Sequence, residues 1–373
     1  MTSLSGTLVR EERNHQGSQG LDTYVLLFRS TAAITLFNVS INMNGFEYIT
    51  PKEERYSFAD AVKRLHQFEE ILQSHDIEIQ SGSVLEELCL NTIDFLEQHR
   101  HPETIDPQRD FRREFAEVIG LQEIVRKLLR HRNHPDFSQL VEHLRLLNEC
   151  FPAQNTPSPV TDEGSNKTFE LLIGLCCMDF GRNITLDNPI ASTGKNPDVL
   201  VEINGQTWGF ACKVLHSPNS QTFFNNLQKG IEQIENSPAT TGIVVFNLKN
   251  ILNHDDYWRL TNKDQFLKGQ EPLFSAFHNR DEAFAKLQAD GEMIRQNVLG
   301  GIAPEYWNHL FDDKKAIPGF LHFVQMCAGL RHDVGVHPSL FGYFSMTPIG
   351  KNPTLYQMSV LRALDRAMHN QPI

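Results

Sequence analysis

The sequence predicts an α/β (α+β) protein. A mainly helical N-terminal part with a small sheet precedes a C-terminal part built on a mixed sheet flanked by helices. Residues 21–50 are rich in β-branched and aromatic side chains, and residues 57–150 repeat apolar side chains at helical spacing. Residues 165–250 alternate helices with short apolar strands. Such alternation is typical of a sheet covered by helices.

The N-terminal elements follow from the spacing of apolar residues. Asn and Gly interrupt the apolar runs of residues 21–50, which predicts two or three strands there. From Ser57, a candidate N-cap, apolar residues recur every three or four positions as far as Leu72, which predicts a helix. Further amphipathic helices, completing a predicted helical bundle, are expected over residues 83–99, 111–131 and 135–150.

Residues 151–166, FPAQNTPSPVTDEGSN, are the best candidate for a linker, because they contain three prolines and show no periodicity. We therefore predict an N-terminal domain over residues 1–155, with a sensing, regulatory or dimerisation role. A second domain covers residues 156–373, with its core at 165–250.

The predicted core of the second domain has the order helix, strand, strand, strand, helix, strand. These elements are expected at residues 167–180, near 185, 197–203, 207–214, 221–236 and 241–248. After the core, we expect helices within residues 276–310, a strand over 319–330 and a last helix over 354–369.

The composition restricts the classes of function. A formal net charge of −12 argues against a non-specific polybasic nucleic-acid binder, because neutralising phosphates requires clustered Lys and Arg. It does not exclude a nuclease, because a divalent cation and a local basic rim can bring an acidic protein to a phosphodiester. Six cysteines without a CxxC pair predict reduced thiols and argue against a zinc ribbon or finger.

The sequence also bears on location. The N-terminal residues contain no apolar signal segment, and no apolar run approaches the roughly 18 residues of a membrane helix. We therefore expect a cytoplasmic protein that does not associate with a membrane.

The stretch NPDVLVEINGQTWGFACKVL, residues 196–215, predicts a β-hairpin, because Asn-Gly between two apolar runs is the strongest short hairpin signal. Asp198 is six residues before Asn204, and Ala211 is six residues after Gly205. The two positions should therefore face each other across the strands, with Cβ atoms about 5 Å apart. Lys213 follows Ala211 by two residues and should share its face.

Pro197-Asp198, the hairpin and the x-x-Lys pattern at residues 211–213 resemble the PD-(D/E)xK nuclease superfamily, to which many restriction enzymes belong. The resemblance covers residues 165–250 and implies a restriction-endonuclease-like fold with the order α-β-β-β-α-β. It also implies that Glu170, on the preceding helix, joins the site. A glutamine on the following helix, Gln233 or alternatively Gln228, is expected there too.

The resemblance further implies the role of each residue. Phosphodiester hydrolysis uses a divalent cation that polarises the phosphate and activates a water, and Mg²⁺ takes oxygen ligands. The implied cofactor is Mg²⁺ or Mn²⁺, and its implied ligands are Asp198, an acid at position 211, the carbonyl of Cys212, and Glu170. Lys213 would orient or deprotonate the attacking water or stabilise the developing charge, and Gln233 would steady Lys213 or that water. The implied catalytic set is Asp198, Ala211, Lys213, Glu170 and Gln233.

Ala211 departs from the family pattern, because alanine has no oxygen to offer a metal. Three explanations are open. In the first, an acidic residue has been exchanged for alanine to inactivate an enzyme. In the second, the protein is a natural variant in which Glu170 or Glu202 supplies the missing acid. In the third, the protein is a pseudonuclease that binds nucleic acid without cutting it.

The same residues also have structural interpretations. Asp198 could cap the turn after Pro197, and Lys213 could protect an edge strand from aggregation. Glu170 could be a solvated helix residue, and Gln233 could belong to an ordinary amphipathic helix. The sequence leaves both sets of interpretations open.

Polar residues outside the motif are candidates for further contacts. The candidate nucleic-acid contacts are Lys195, His216, Ser217 and Lys229. Ser217 or Ser220 also fits the start of the next helix. A basic cluster fits either a phosphate contact or, more simply, a solvated helix end; it comprises Arg126, Lys127, Arg130 and Arg132. The pair His332 and His337 lacks clear ligand spacing and is typical of loop histidines.

The sequence therefore predicts a metal-dependent nuclease that hydrolyses phosphodiester bonds as an endonuclease, in a form inactivated at position 211. DNA is the expected substrate, because most of the resembling family cuts DNA, and RNA remains open. By analogy, a bacterial antiviral defence effector is expected, as a homo-oligomer with a partner protein of a defence system. The alternative is a non-catalytic nucleic-acid-binding or assembly protein on a degenerate nuclease fold.

Overall fold

The computed structural model describes residues 9–10, 24–28, 30–31, 54–98, 110–159, 162, 164–192, 194–260, 274–332 and 335–370. Over these ranges the chain forms a mixed α/β fold in which helices cover both faces of a large sheet. The predicted mixed sheet flanked by helices is confirmed at this level.

The helices are α1 (Phe58–Ser74), α2 (Val84–Gln98), α3 (Arg112–His131), α4 (Val141–Arg145), α5 (Gly164–Cys177), α6 (Ser220–Glu235), α7 (Arg280–Gly300), α8 (Pro304–His309) and α9 (Leu355–Met368). The strands are β1 (Val9–Arg10), β2 (Tyr24–Phe28), β3 (Ser30–Thr31), β4 (Glu54–Ser57), β5 (Arg182–Leu186), β6 (Val199–Ile203), β7 (Gln206–Val214), β8 (Thr241–Asn247), β9 (Arg259–Leu260), β10 (Phe274–Ser275), β11 (Ala316–His332) and β12 (Gly335–Pro348).

The first three helices lie where apolar periodicity predicted them. Their buried stripes meet in a hydrophobic cluster to which α1 contributes Phe68, α2 contributes Leu88 and α3 contributes Leu128. The small N-terminal sheet is also present, because β1, β2 and β4 pair in the order β1-β2-β4. Of the strands predicted over residues 21–50, β2 and β3 are observed, and residues 32–50 lie outside the described residues.

The predicted helix over residues 135–150 forms only in part. The single α-helical stretch, α4, lies between two 3₁₀ turns, Phe137–Leu140 and Leu146–Asn148. Residues three apart align on one side of a 3₁₀ turn. Phe137 and Leu140 are accordingly both buried in the core. Leu144 and Leu147 are buried as well, so the segment keeps one buried face although only α4 is α-helical.

The large sheet has the strand order β3-β12-β11-β8-β7-β6-β5. Strands β5, β6 and β7 form an antiparallel meander, and β8 joins β7 in parallel after the crossover helix α6. Strand β11 runs parallel to β8, and β12 returns antiparallel to it. The predicted order of helix, three strands, helix and strand over residues 165–250 is therefore observed.

Two hydrophobic clusters lie on opposite faces of this sheet. One contains α5 and α9 together with Val245 of β8, and the other contains α6 and α7 together with the neighbouring Val244. Successive residues of a strand point to opposite faces. Strand β8 is buried throughout, as expected for a strand that is covered on both sides.

Residues 151–155, predicted as part of a linker, are largely buried. Asn155 Nδ2 donates to the Ala116 carbonyl of α3 at 2.9 Å. Gln154 Nε2 donates to Thr168 Oγ1 of α5 at 3.0 Å, and Gln154 Oε1 accepts from Asn247 Nδ2 at the end of β8 at 2.8 Å. Amide side chains therefore connect this segment to three elements. The division into domains at residue 155 stays a prediction. One hydrophobic cluster contains residues from both sides of that position.

Lys249, just after β8, is fully buried, and its Nζ donates to the Ala153 carbonyl at 3.1 Å. Burial lowers the pKa of Lys249 from 10.5 to about 8, against the opposing effect of Asp162. Between these two pKa values, Lys249 is mostly protonated in the unfolded chain and mostly deprotonated in the folded protein. The contribution of Lys249 to stability therefore rises with pH through this interval and is flat below it.

We expect this pH dependence to disappear in K249M. The free energy of unfolding of the unchanged protein, minus that of K249M, should rise between about pH 8 and about pH 10. Urea unfolding followed by tryptophan fluorescence at several pH values measures this difference. A difference that stays constant over the interval would contradict the expectation.

All six cysteines are buried and free, in agreement with the predicted reduced thiols. Across the ranges that the structure describes, no helix combines the length and apolar character needed to cross a bilayer.

Candidate active site

The predicted hairpin is confirmed, with a two-residue turn between β6 and β7. Asn204 and Gly205 have φ angles of 50° and 78°, as a type I′ turn requires. The strands pair from Ile203↔Gln206 to Val199↔Phe210. Continuing this register by one pair places Asp198 opposite Ala211, at the point where the ladder between β6 and β7 ends.

The side chain of Asp198 hydrogen-bonds to the backbone of β7 and does not cap the turn after Pro197. Its Oδ2 accepts from the backbone N–H of Cys212 at 2.6 Å and lies 3.4 Å from Lys213 Nζ. The residue is 5% exposed. Burial raises the pKa of Asp198 to about 6, although the Lys213 cation acts in the opposite direction. Asp198 is therefore a largely desolvated carboxyl that faces a cation.

Lys213 is held by three oxygen atoms. Its Nζ donates to Gln233 Oε1 at 2.8 Å and to the Cys212 carbonyl at 2.9 Å, in addition to the contact with Asp198. Strand β7 pairs with both β6 and β8, so it is an interior strand of the sheet. The interpretation of Lys213 as protection for an edge strand is therefore wrong.

Gln233 is the glutamine that reaches the site, and it is buried on α6. The alternative, Gln228, is exposed and donates to Glu232 on its own helix at 3.2 Å. Gly230 lets α6 approach the sheet closely, since a Cβ there would lie 2.7 Å from Val244 Cγ2 and 3.3 Å from Ala211 Cβ. This close packing places Gln233 within reach of Lys213.

Ala211 is fully buried in the hydrophobic cluster beneath α6. Glu202 does not replace the missing acid, because it lies at the turn end of the hairpin, opposite Thr207. There it pairs with Arg182 and accepts from Asn183 Nδ2 at 2.7 Å. The proposal that Glu202 supplies the acid is therefore wrong.

Glu170 is 1% exposed on α5, so the interpretation as a solvated helix residue is also wrong. Its Oε1 accepts from Lys167 Nζ at 2.8 Å, and its Oε2 lies 3.0 Å from His143 Nε2. Its carboxyl also interacts with that of Asp198. Burial raises the pKa of Glu170, against the opposing effect of Lys167. The structure thus brings two buried carboxyls together beside Lys213.

Several residues of the site were missed from the sequence. Asn166 Oδ1 accepts from the backbone N–H of Val214 at 3.0 Å and so fixes the start of α5 to the end of β7. The backbone N–H of Asp187 donates to the Asp198 carbonyl at 2.9 Å. Lys167 lies three residues before Glu170, a helical spacing that could have indicated the pair. His143 is distant in the sequence, and no local pattern signals it.

The residues predicted to contact nucleic acid differ in burial. Lys195 and Lys229 are exposed. His216 is partly buried, with its Nδ1 3.1 Å from Asn250 Nδ2. Ser217 Oγ accepts from the backbone N–H of Asn219 at 3.2 Å. Asn219 caps α6, which begins at Ser220, so Ser220 lies at the predicted helix start and Ser217 does not.

The basic cluster of α3 is largely structural. Lys127 is 1% exposed, and Arg126 and Arg130 pair with Glu123 and Asp179. His332 and His337 lie in strands β11 and β12, so the interpretation as loop histidines is wrong; their side chains lie outside the described residues.

The donors at the site suit a hard divalent cation, but the set is incomplete. Asp198, Glu170 and the Cys212 carbonyl offer oxygen atoms of the kind that Mg²⁺ prefers, and the two carboxyls lie close enough to interact. Position 211 offers none. Among the residues that the structure describes, no group of three or more His, Cys, Asp or Glu side chains is placed to hold a metal. Comparison with family models, with curated proteins and with solved structures gives no match.

Proposed function

We propose that the chain is a metal-dependent nuclease of the PD-(D/E)xK type, with alanine in place of an acidic ligand. One observation carries the proposal: Lys213 Nζ meets both Asp198 and Gln233 beside position 211. The order of α5, β5, β6, β7, α6 and β8, with only β8 parallel to its neighbour β7, supports a restriction-endonuclease-like fold.

In this proposal Asp198, Glu170 and the Cys212 carbonyl hold Mg²⁺ or Mn²⁺ together with an acid at position 211. The bound cation supplies Lewis-acid polarisation of the phosphate and lowers the pKa of a water. Lys213 orients the attacking water or stabilises charge on the phosphate, because its ammonium is directed into the site. Gln233 fixes that ammonium through the 2.8 Å bond to its Oε1.

The proposal extends to substrate and context. Lys195 and Lys229 are exposed cations that can contact a nucleic-acid backbone. We propose cleavage of DNA as an endonuclease, in the cytoplasm, by a homo-oligomer with a partner protein in antiviral defence. These finer assignments rest on analogy with the resembling family.

A second candidate is a non-catalytic nucleic-acid-binding or assembly protein on the same fold. The observation that favours it is the environment of position 211, where Ala211 is fully buried in apolar packing. Lys213 also has three oxygen partners without any acid at position 211. The site is therefore packed and hydrogen-bonded without an acidic residue at position 211, as a non-catalytic protein would allow.

Plasmid cleavage with Mg²⁺ or Mn²⁺ distinguishes the two candidates. We expect the unchanged chain to be inactive, A211E to cleave the plasmid, and A211E/K213A to lose that cleavage. The introduced glutamate would complete the set of metal-binding oxygens, and Lys213 would act on the water or phosphate beside it. Plasmid binding by each variant is measured in parallel. An A211E protein that binds the plasmid normally and remains inert would contradict the nuclease proposal and favour the second candidate.

A further inference from the structure

His143 brings the N-terminal helical part into direct contact with the candidate site. It lies on α4, whose neighbouring Leu144 is fully buried in the core. Its imidazole is 2% exposed, and its Nε2 lies 3.0 Å from Glu170 Oε2. Residues 143 and 170 are far apart in the sequence, so this contact depends on the packing of α4 against α5.

Two donors hold the two oxygens of the Glu170 carboxylate. Lys167, one helical turn before Glu170, donates to Oε1 at 2.8 Å and to Oε2 at 3.1 Å, and the imidazole of His143 lies 3.0 Å from Oε2 as a second partner. Because the two donors approach from different elements, they restrict rotation of the carboxylate about its terminal torsion. An orientation fixed in this way is what a metal-ligating carboxylate requires, and partners of ligands commonly provide it.

The protonation state of His143 allows its ring to donate a hydrogen bond to the Glu170 carboxylate. Burial, assisted by Lys167, lowers the pKa of His143 to about 4, so the ring is neutral at ordinary pH. A neutral imidazole has one N–H, and we assign it to Nε2 because the partner is a carboxylate.

The second nitrogen of the His143 ring makes a histidine energetically unfavourable at this buried position. His143 Nδ1 is buried and has no hydrogen-bond partner in the described part of the chain. Leaving a buried polar atom unpaired is destabilising. A leucine would fill an apolar position without this cost. The contact with Glu170 is therefore the feature that distinguishes histidine from an apolar residue here.

We propose that His143 is a positioning residue for the metal site, holding Glu170 in its metal-binding orientation and thereby linking the N-terminal helices to that site. This inference rests on the proposed nuclease function, because it assigns Glu170 a ligand role. His143 itself does not touch the metal, the substrate or the attacking water.

Mn²⁺ affinity, measured by calorimetry without nucleic acid, tests the inference in the A211E background. H143L removes the N–H while keeping an apolar side chain of moderate size, and H143Q keeps an amide N–H that can reach Glu170. We expect A211E/H143L to bind Mn²⁺ about 10–100-fold more weakly than A211E. A211E/H143Q should recover most of the lost affinity.

A matched control is available on α3. His131 is also buried, and its Nε2 lies 3.6 Å from a carboxylate, that of Asp179, away from Glu170. A211E/H131L should therefore bind Mn²⁺ like A211E. Thermal unfolding followed by circular dichroism verifies that each variant is folded.

The outcomes separate this inference from the proposed function. If A211E binds Mn²⁺ and A211E/H143L binds it equally well, His143 has no positioning role and the nuclease proposal stands. If H143Q loses as much affinity as H143L while both remain folded, the donor role is wrong. If A211E binds no Mn²⁺ and cleaves no plasmid, the proposed function fails, and the inference fails with it.

Discussion

Replacing Asp198 with asparagine in the A211E protein is expected to lower plasmid cleavage by more than about 100-fold. Loss of a residue that merely supports a metal ligand typically costs 10–100-fold, and loss of a ligand itself should cost more. Asparagine can still accept from the Cys212 N–H, which Asp198 does at 2.6 Å. The hairpin should therefore remain intact, and the loss should reflect the missing negative charge. Initial cleavage rates at saturating Mg²⁺ measure the effect.

The matched control for this prediction is E202Q in the same background. Glu202 is on β6, which begins directly after Asp198, and E202Q makes the same change of charge. Glu202, however, pairs with Arg182 at the turn end of the hairpin. We expect A211E/E202Q to cleave at nearly the rate of A211E. Equal losses for the two double variants would show that the general charge of the hairpin, and not Asp198 as a ligand, controls the rate.

The second large effect is on stability, at Lys127. We expect K127M to lower the free energy of unfolding by about 3–5 kcal/mol, the range for breaking a buried ion pair from one side. Lys127 Nζ donates to the carbonyls of Ala367 and Met368 at 2.9 and 2.8 Å and lies 3.4 Å from Glu123 Oε1. Methionine keeps the length of the side chain and leaves those oxygens without this donor. Urea unfolding measures the change.

R113M is the control for K127M, because Arg113 also forms an ion pair within α3 but is 87% exposed at its side chain. Exposed pairs contribute about 0–1 kcal/mol, so R113M should change stability by no more than that. A K127M protein as stable as R113M would show that Lys127 does not hold α3 to the end of α9.

The buried charges near Lys127 explain why its loss should be so costly. Burial raises the pKa of Glu123, but the adjacent Arg126 and Lys127 cations outweigh it and hold this pKa below its ordinary value. Glu123 is therefore an ionised carboxylate at 5% exposure. Removing one of its two cations leaves a desolvated charge with less compensation.

Local patterns were sufficient to predict the hairpin and the elements around it. Asn204-Gly205 specified the turn, and counting outward from it placed Asp198 opposite Ala211, because both turn residues can adopt positive φ. Helical spacing predicted α1, α2 and α3, since each places apolar residues three or four positions apart in the core. In these cases the neighbours along the chain determine the conformation.

Other elements were not predictable from local patterns. Strand β12 contains Pro338, Gly342 and Pro348, which argue against a strand, yet it pairs along its length with β11. The predicted helix over residues 135–150 is divided by 3₁₀ turns, because its buried residues must meet a core formed by other elements.

The sequence by itself determined the element order over residues 165–250 and the hairpin register that sets Ala211 opposite Asp198. Only the tertiary structure decided between Gln233 and Gln228, excluded Glu202 as the missing acid, and brought His143 to Glu170. The physical reason is distance along the chain. Turn and strand periodicity are set by adjacent residues, whereas these contacts depend on how helices pack on the sheet.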